Sequence, residues 1–328
     1  MRALACRQHG GVEVLSLDDI PPPGDPAPDR ILVEVHAASA NFADTLMIGG
    51  TYQTRPPFPF APGIECSGVV RSVGAQCQRL RVGDRVMALL DHSGFAELAT
   101  ARETDAAVVP AGMGMVDASA FPVAYISSHV ALRWRADLRP EETVLVLGAA
   151  GGVGLTAVEI AVAQGARVLA AASSRERLAL AAGHGAHELI DYSTEDLRSR
   201  VLELTDGEGV DVVFDPVGEP LFDAALSCLG WGGRLLLIGF VGGVPAIPAN
   251  RLLVKHRSAM GSALRYYRFR RPDLLARSWE ELLAWYDQGR LRPHVSATYP
   301  LSEGATALRA LSERRAMGKV VVTVRTGA

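Results

Sequence analysis

The chain has 328 residues, 48% of them hydrophobic and 21% charged, which allows two domains or one large α/β unit with a sizeable core and excludes general disorder. Its formal net charge of −3 at pH 7 argues against a nucleic-acid binder or a polybasic membrane binder. All the basic residues except Lys255 and Lys319 are arginine, and their scatter reads as a composition bias rather than a binding patch.

Residues 1 to about 110 read as β-rich. Residues 30–36 are mostly apolar and β-branched, as a largely buried strand is. Strand-like runs recur at 68–73 and 84–89, separated by turn clusters at 21–25 and 81–84, and this spacing predicts a small barrel or sandwich. The proline-rich stretch 55–62 excludes both helix and central strand. From about residue 125 the pattern changes. A helical segment at 127–135 precedes the apolar run 143–147, then glycines, a helix through 155–164 and a second apolar run at 167–172. Strands at 210–214 and 234–238 follow, with helices at 176–182, 196–205 and 221–228 between them. Alternating buried strands and helices predict a parallel, doubly wound sheet. Amphipathic helices at 278–288 and 304–315 and a strand at 319–324 close the chain. The expected class is therefore α/β, with a β-rich N-terminal domain and a doubly wound domain after it.

Cys6, Cys66, Cys77 and Cys228 show no C-x-x-C pair or regular spacing, so a reducing compartment is expected. The N-terminus turns polar too soon for a signal peptide, and the longest uncharged stretches fall short of the ~20 residues of a membrane helix. A soluble, cytoplasmic protein is expected.

Gly148-x-x-Gly151-x-x-Gly154 follows one strand and opens a helix. Residues without bulk there, Ala150, Gly151, Gly152 and Val153 among them, let backbone N–H groups approach a pyrophosphate at the positive end of the helix. With a second strand behind it, the unit has the length of a dinucleotide-binding βαβ motif. At the tip of that second strand an acid would hold the ribose of NAD. This chain has Ser173, Ser174, Arg175, Glu176 and Arg177 instead. Two hydroxyls and two guanidiniums suit a phosphate and favour NADPH, although Ser174 also reads as a plain N-cap. Asp44 reads as the cap of a helix starting at Thr45.

Residues 41–44 (Asn-Phe-Ala-Asp), 49–52 (Gly-Gly-Thr-Tyr), 62–68 (Pro-Gly-Ile-Glu-Cys-Ser-Gly), 82–86, the glycine loop and the closing Gly318-Lys319-Val320-Val321 resemble the medium-chain dehydrogenase/reductases, in particular their zinc-independent quinone oxidoreductase (zeta-crystallin-like) branch. The resemblance spans essentially the whole chain. It implies a GroES-like, barrel-like catalytic domain (1–124 and 265–328) with a Rossmann NADPH-binding domain (125–264) inserted, an active site in the cleft, and a homodimer or homotetramer formed through the Rossmann domains. Where zinc-dependent relatives have a cysteine and a Gly-His-Glu motif, this chain has Asn41 and Gly63-Ile64-Glu65, and residues 90–110 contain no cysteine. Asn and Ile cannot supply a thiolate and an imidazole, so no metal is expected.

The resemblance also implies that Asn41 and Tyr52 face the nicotinamide and hydrogen-bond the acceptor oxygen. Tyr125 and Ser127 would contact the nicotinamide side, and Tyr192 and Arg314 would reach the adenosine phosphate. A mobile run containing Gly239, Phe240 and Asn250 would cover the cofactor. Leu46-Met47-Ile48 makes the acceptor pocket apolar. The chemistry then rests on the cofactor, with hydride passing to a small electrophilic acceptor, a quinone or an α,β-unsaturated carbonyl. An enoyl-thioester reductase and a non-catalytic NADPH-binding protein are the alternatives.

Overall fold

The computed structural model describes residues 1–325. It divides into a unit made of Met1–Val123 with Pro293–Ala328 and a second unit, Ala124–Arg292; residues 326–328 lie outside the described residues.

In the first unit β1 (Arg2–Cys6) pairs antiparallel with β2 (Leu15–Asp19). The organising strand is β3 (Arg30–Ser39), whose side chains alternate between half-buried and buried along most of its length, the period-2 signature of a strand with one face on a core. After α1 (Phe42–Ile48), β3 pairs antiparallel with β4 (Glu65–Val73), which pairs with β5 (Arg85–Leu89). Next come β6 (Leu98–Arg102), paired with β3, β7 (Ala106–Val108), paired with β5, and α2 (Met115–Ser119). One core, including Ile31, Val33, Val35, Ile48, Phe60, Phe95 and Val322, fills the sheet's interior.

The chain passes into the second unit within α3 (Pro122–His129), at Ala124, and the helix runs on as a π-helical turn, Val130–Arg135. The expected start at 127 is five residues late, because Pro122 sits where its fixed φ and missing N–H suit a first helical turn. The sheet is built from β8 (Thr143–Leu147), β9 (Arg167–Ala172), β10 (Glu188–Asp191), β11 (Val210–Asp215), β12 (Leu229–Leu237) and β13 (Ser258–Gly261). Its order is β10-β9-β8-β11-β12-β13 and every pairing is parallel. In this fold that is the dinucleotide order, and it reverses direction between β8 and β11. The interleaved helices are α4 (Gly152–Ala163), α5 (Arg175–Gly183), α6 (Leu197–Leu204), α7 (Phe222–Cys228), α8 (Ala249–Val254), α9 (Leu264–Arg270) and α10 (Pro272–Asp287).

The boundary expected at residue 265 is corrected to 293. Residues 265–292 stay with the second unit because α9 and α10 pack on the π-helical turn. The Tyr267 hydroxyl donates to the Val130 carbonyl at 3.3 Å, and the buried His129 contacts Ser278 Oγ at 3.0 Å and Glu281 Oε2 at 2.9 Å. The chain then re-enters the first unit with β14 (Val295–Pro300), α11 (Gly304–Ser312) and β15 (Lys319–Thr323), which pairs with β3. Among the described residues, no helix is long and apolar enough to cross a membrane.

Candidate active site

In the first unit the polar residues converge at the start of α1. That helix begins at Phe42 with Asn41 as its N-cap, not at Thr45. Asp44 is therefore the third helical residue, and its Oδ2 accepts from the Asn41 backbone N–H at 2.8 Å, the reciprocal arm of a capping box. Its Oδ1 accepts from Gly63 N at 3.0 Å. Gly63 has φ +104°, and a Cβ there would stand 2.6 Å from Gly94 Cα, so no larger residue could bring this N–H so close. Asp44 is wholly buried, and that burial pushes its carboxyl up to about 7 against the pull of its two backbone donors.

Glu65 begins β4 with 0% exposure. Its Oε1 accepts from the Ser39 hydroxyl, from Asn41 Nδ2 at 2.8 Å and from Lys319 Nζ at 2.9 Å. Its Oε2 accepts from Val123 N at 2.7 Å. Lys319, the first residue of β15, also donates to Asn41 Oδ1 at 2.7 Å and to the Ala40 carbonyl at 3.4 Å. The second Asn41 Nδ2 hydrogen reaches the Ser39 carbonyl at 3.2 Å. In this structure both Asn41 amide hydrogens are engaged by network partners, the one to the Ser39 carbonyl over the longer distance. Tyr52 is half-buried against the first unit's core, and its N–H donates to the Leu46 carbonyl at 3.1 Å. Asn41 caps the start of α1, and Tyr52 lies in the turn that follows its end.

In the second unit the loop between β8 and α4 is built from backbone. Gly148 takes φ +56°, and Gly151 caps α4 with no side chain. A Cβ on Gly154 would fall 2.2 Å from the Gly148 carbonyl oxygen, so this helix can approach its strand only with glycine there. Ala150 is buried, while Gly151, Gly152 and Val153 are half-exposed at the first turn, where helical N–H groups have no partner within the helix. These residues fit the pyrophosphate of a dinucleotide.

Ser173 is exposed at the tip of β9, and Ser174 caps α5, its Oγ accepting from Arg177 N at 3.3 Å. Tyr192 joins them, because its N–H donates to the Ala172 carbonyl at 3.2 Å at the end of β9. Gly239 and Phe240 follow β12 at the same edge, where Gly242 N donates to the Val217 carbonyl at 2.8 Å. Asn250 instead lies exposed inside α8, a correction to the expected loop. Arg314 belongs to the first unit, exposed beyond α11 with φ +57°.

Tyr125 and Ser127 both lie in α3. Tyr125 is 1% exposed and its phenol donates to Glu159 Oε2 at 2.6 Å. Burial raises its pKa well above the ordinary value, and the other oxygen of the same carboxylate accepts from Arg292 N at 3.0 Å. The phenol and the Arg292 N–H thus share one buried carboxylate. Ser127 lies half-buried inside α3. Its neighbour Ser128 reaches the loop, donating to the Val153 carbonyl at 2.9 Å; one residue is 100° of helix phase, and only the fold fixes it. Sequence reasoning also missed Asp215, whose Oδ1 accepts from Val217 N and Gly218 N while its buried Oδ2 has no hydrogen-bond partner. Burial raises its pKa. Among the described residues, no group of three or more His, Cys, Asp or Glu could hold a metal ion.

A β-rich unit of this topology and a parallel sheet of dinucleotide order in one chain define a two-domain dehydrogenase of the medium-chain type. The alcohol dehydrogenase GroES-like domain matches residues 27–131, and the zinc-binding dehydrogenase domain matches residues 152–287. A quinone oxidoreductase-like protein 2 homolog of Nematostella vectensis is 35% identical over 99% of this chain and 89% of its own length. A Pseudomonas aeruginosa quinone oxidoreductase is 34% identical over 96% of this chain and 97% of its own. The Escherichia coli quinone oxidoreductase, solved in complex with NADPH, superposes with a TM-score of 0.92 at 29% identity, covering 99% of this chain and 100% of that one. The chain belongs to the quinone oxidoreductase branch of the medium-chain dehydrogenase/reductase superfamily, and is an oxidoreductase-like enzyme of that branch.

Proposed function

We propose that this protein is an NADPH-dependent reductase that passes hydride to a quinone or an α,β-unsaturated carbonyl without a bound metal. The observation that carries the reading is the glycine loop at the reversal point of the second unit's sheet. Its strand tip offers Ser173, Ser174, Arg175 and Arg177 where an NAD-binding acid would stand. NADPH supplies the hydride. Gly152 and Val153 would hold its pyrophosphate through backbone N–H groups, while Gly151, whose own N–H donates to the Gly148 carbonyl at 2.8 Å, would let it approach closely. The serines and arginines would hold the 2′-phosphate, with Tyr192 alongside. The acceptor-side candidates are Asn41 and Tyr52, whose polar groups would steady an oxygen on which negative charge develops. Asn41 and Ile64 stand where zinc relatives have their thiolate and imidazole, and neither side chain is a good zinc ligand.

An acceptor screen tests the reading. NADPH and NADH oxidation would be followed in parallel with 1,4-naphthoquinone and crotonyl-CoA as acceptors. Turnover of the quinone with NADPH preferred is the expected result. Turnover of the thioester alone would transfer the site to enoyl reduction, and tight NADPH binding without oxidation by any acceptor would reject an enzymatic role.

We also propose a homo-oligomer. β13 is the outer strand of the sheet and carries an unpaired edge. Trp231, Leu253 and Val254 nearby are 73%, 83% and 70% exposed, linked where Gly232 N donates to the Lys255 carbonyl at 3.0 Å. Light scattering should show an assembly larger than a monomer that Leu253→Asp with Val254→Asp dissociates; a monomeric wild type would refute it.

A further inference from the structure

Lysine is the rare cation of this chain. Arginine serves at every other basic position, yet one of the two lysines sits 6% exposed in the first unit. Lys319 Nζ meets three acceptors: Asn41 Oδ1 at 2.7 Å, Glu65 Oε1 at 2.9 Å and the Ala40 carbonyl at 3.4 Å. Those are the three directions of an ammonium, and a planar guanidinium cannot point its donors along them in the same space.

The same arrangement decides which way the Asn41 amide lies. An ammonium has no acceptor to offer, so it must face Oδ1. The Glu65 carboxylate and the Ser39 carbonyl offer only lone pairs, so they must face Nδ2. An amide whose oxygen binds a cation is polarised, and its N–H groups become stronger donors. Of the two Nδ2 bonds, the one to the Ser39 carbonyl is long at 3.2 Å, against 2.8 Å to Glu65, so that hydrogen is the cheaper one to release. Ser39 and Glu65 are fully buried, whereas Asn41 is half-exposed. It is therefore the member of the network that an incoming molecule can meet.

We propose that Lys319 is a positioning residue: it fixes and polarises the Asn41 amide so that one Nδ2 hydrogen is presented to the acceptor oxygen during hydride transfer. The proposal rests on the reductase reading for the identity of that acceptor. The orientation of the amide does not depend on it.

Lys319→Met alone would leave the Glu65 carboxylate buried without its cation, so the test uses Lys319→Met with Glu65→Gln, which removes both charges at similar volume. This pair should melt closer to wild type than Lys319→Met does. Its kcat with naphthoquinone should fall at least tenfold, with KM and the NADPH dissociation constant within twofold of wild type. Asn41→Ala should lower kcat similarly, and Lys319→Met added to Asn41→Ala should cost nothing further. Lys319→Arg, which keeps the charge but not the directions, should not restore the rate. Wild-type kcat in the neutral pair or in Lys319→Arg, or losses from Lys319→Met and Asn41→Ala that multiply, would overturn the proposal. The side-chain amide resonances of Asn41, assigned by comparison with Asn41→Ala, give a readout free of activity. They should shift and broaden in the neutral pair. Unchanged resonances there would refute the positioning role even in an active enzyme. A shift in a protein that reduces no quinone would leave the amide's orientation established and place the failure in the reductase reading.

Discussion

The two candidate sites of this molecule are built from opposite materials. In the first unit Asn41, Asp44, Glu65 and Lys319 bring four polar side chains into an interior where each depends on the others. In the second unit the loop from Gly148 to Gly154 has almost no side chains, and backbone N–H groups and close approach do the work. A backbone site tolerates no added atom but contains no charge to strand. A side-chain site tolerates small changes of shape but not the loss of one partner, because the remaining charge is left buried. The two should therefore fail differently.

The sharpest test removes a partner. Glu65→Ala strands the Lys319 ammonium and takes the acceptor from Ser39, Asn41 and Val123 N, and breaking a buried pair in this way costs about 3–5 kcal/mol. Urea unfolding should show a loss of that size; a loss under 1 kcal/mol would mean that water reaches the network. The matching test of the loop adds a single methyl. Gly154→Ala sets a Cβ 2.2 Å from the Gly148 carbonyl oxygen, an overpacking that costs about 1–3 kcal/mol, and should weaken NADPH binding at least tenfold by fluorescence titration. Gly112→Ala, where an added Cβ meets nothing within 4 Å, should change neither quantity.

Removing the guanidiniums at the tip of β9 is milder. Arg175→Ala with Arg177→Ala should weaken NADPH about tenfold, roughly 1.4 kcal/mol, and leave NADH unchanged; equal losses for both cofactors would show that the arginines do not read the 2′-phosphate. The gentlest test is pH. Asp44 titrates near 3.8 when exposed and at about 7 in the fold, so the unfolded chain gives up this proton first. Asp44's contribution to stability should be greatest below pH 3.8, fall as pH rises from about 4 to 7, and be level above. Asp44→Asn should flatten that slope in unfolding midpoints measured across the range. An unchanged slope would assign it to other groups.

Legibility in the sequence followed the same division. The apolar runs of β8 and β9 were read with the bounds the structure shows, Thr143–Leu147 and Arg167–Ala172, because strands buried on both faces are continuous apolar segments. β10 and β13 escaped notice because each is four residues long and carries few buried side chains. The late start for α3 came from passing over Pro122 as a first helical residue. The contact of Tyr125 with Glu159 was not legible, because its partner lies 34 residues away in the chain.

What the sequence determined by itself is whatever is local. The glycine loop and the parallel strands flanking it rest on neighbours a few residues apart, where periodicity and backbone freedom are written directly. The tertiary structure alone decided the charge network, since Lys319 reaches Asn41 and Glu65 across 278 and 254 residues of chain. Nothing in a local pattern records that contact. It exists because β15 pairs with β3 and carries its first residue to the start of α1, so the partner of each buried charge is chosen by the order of strands in the sheet.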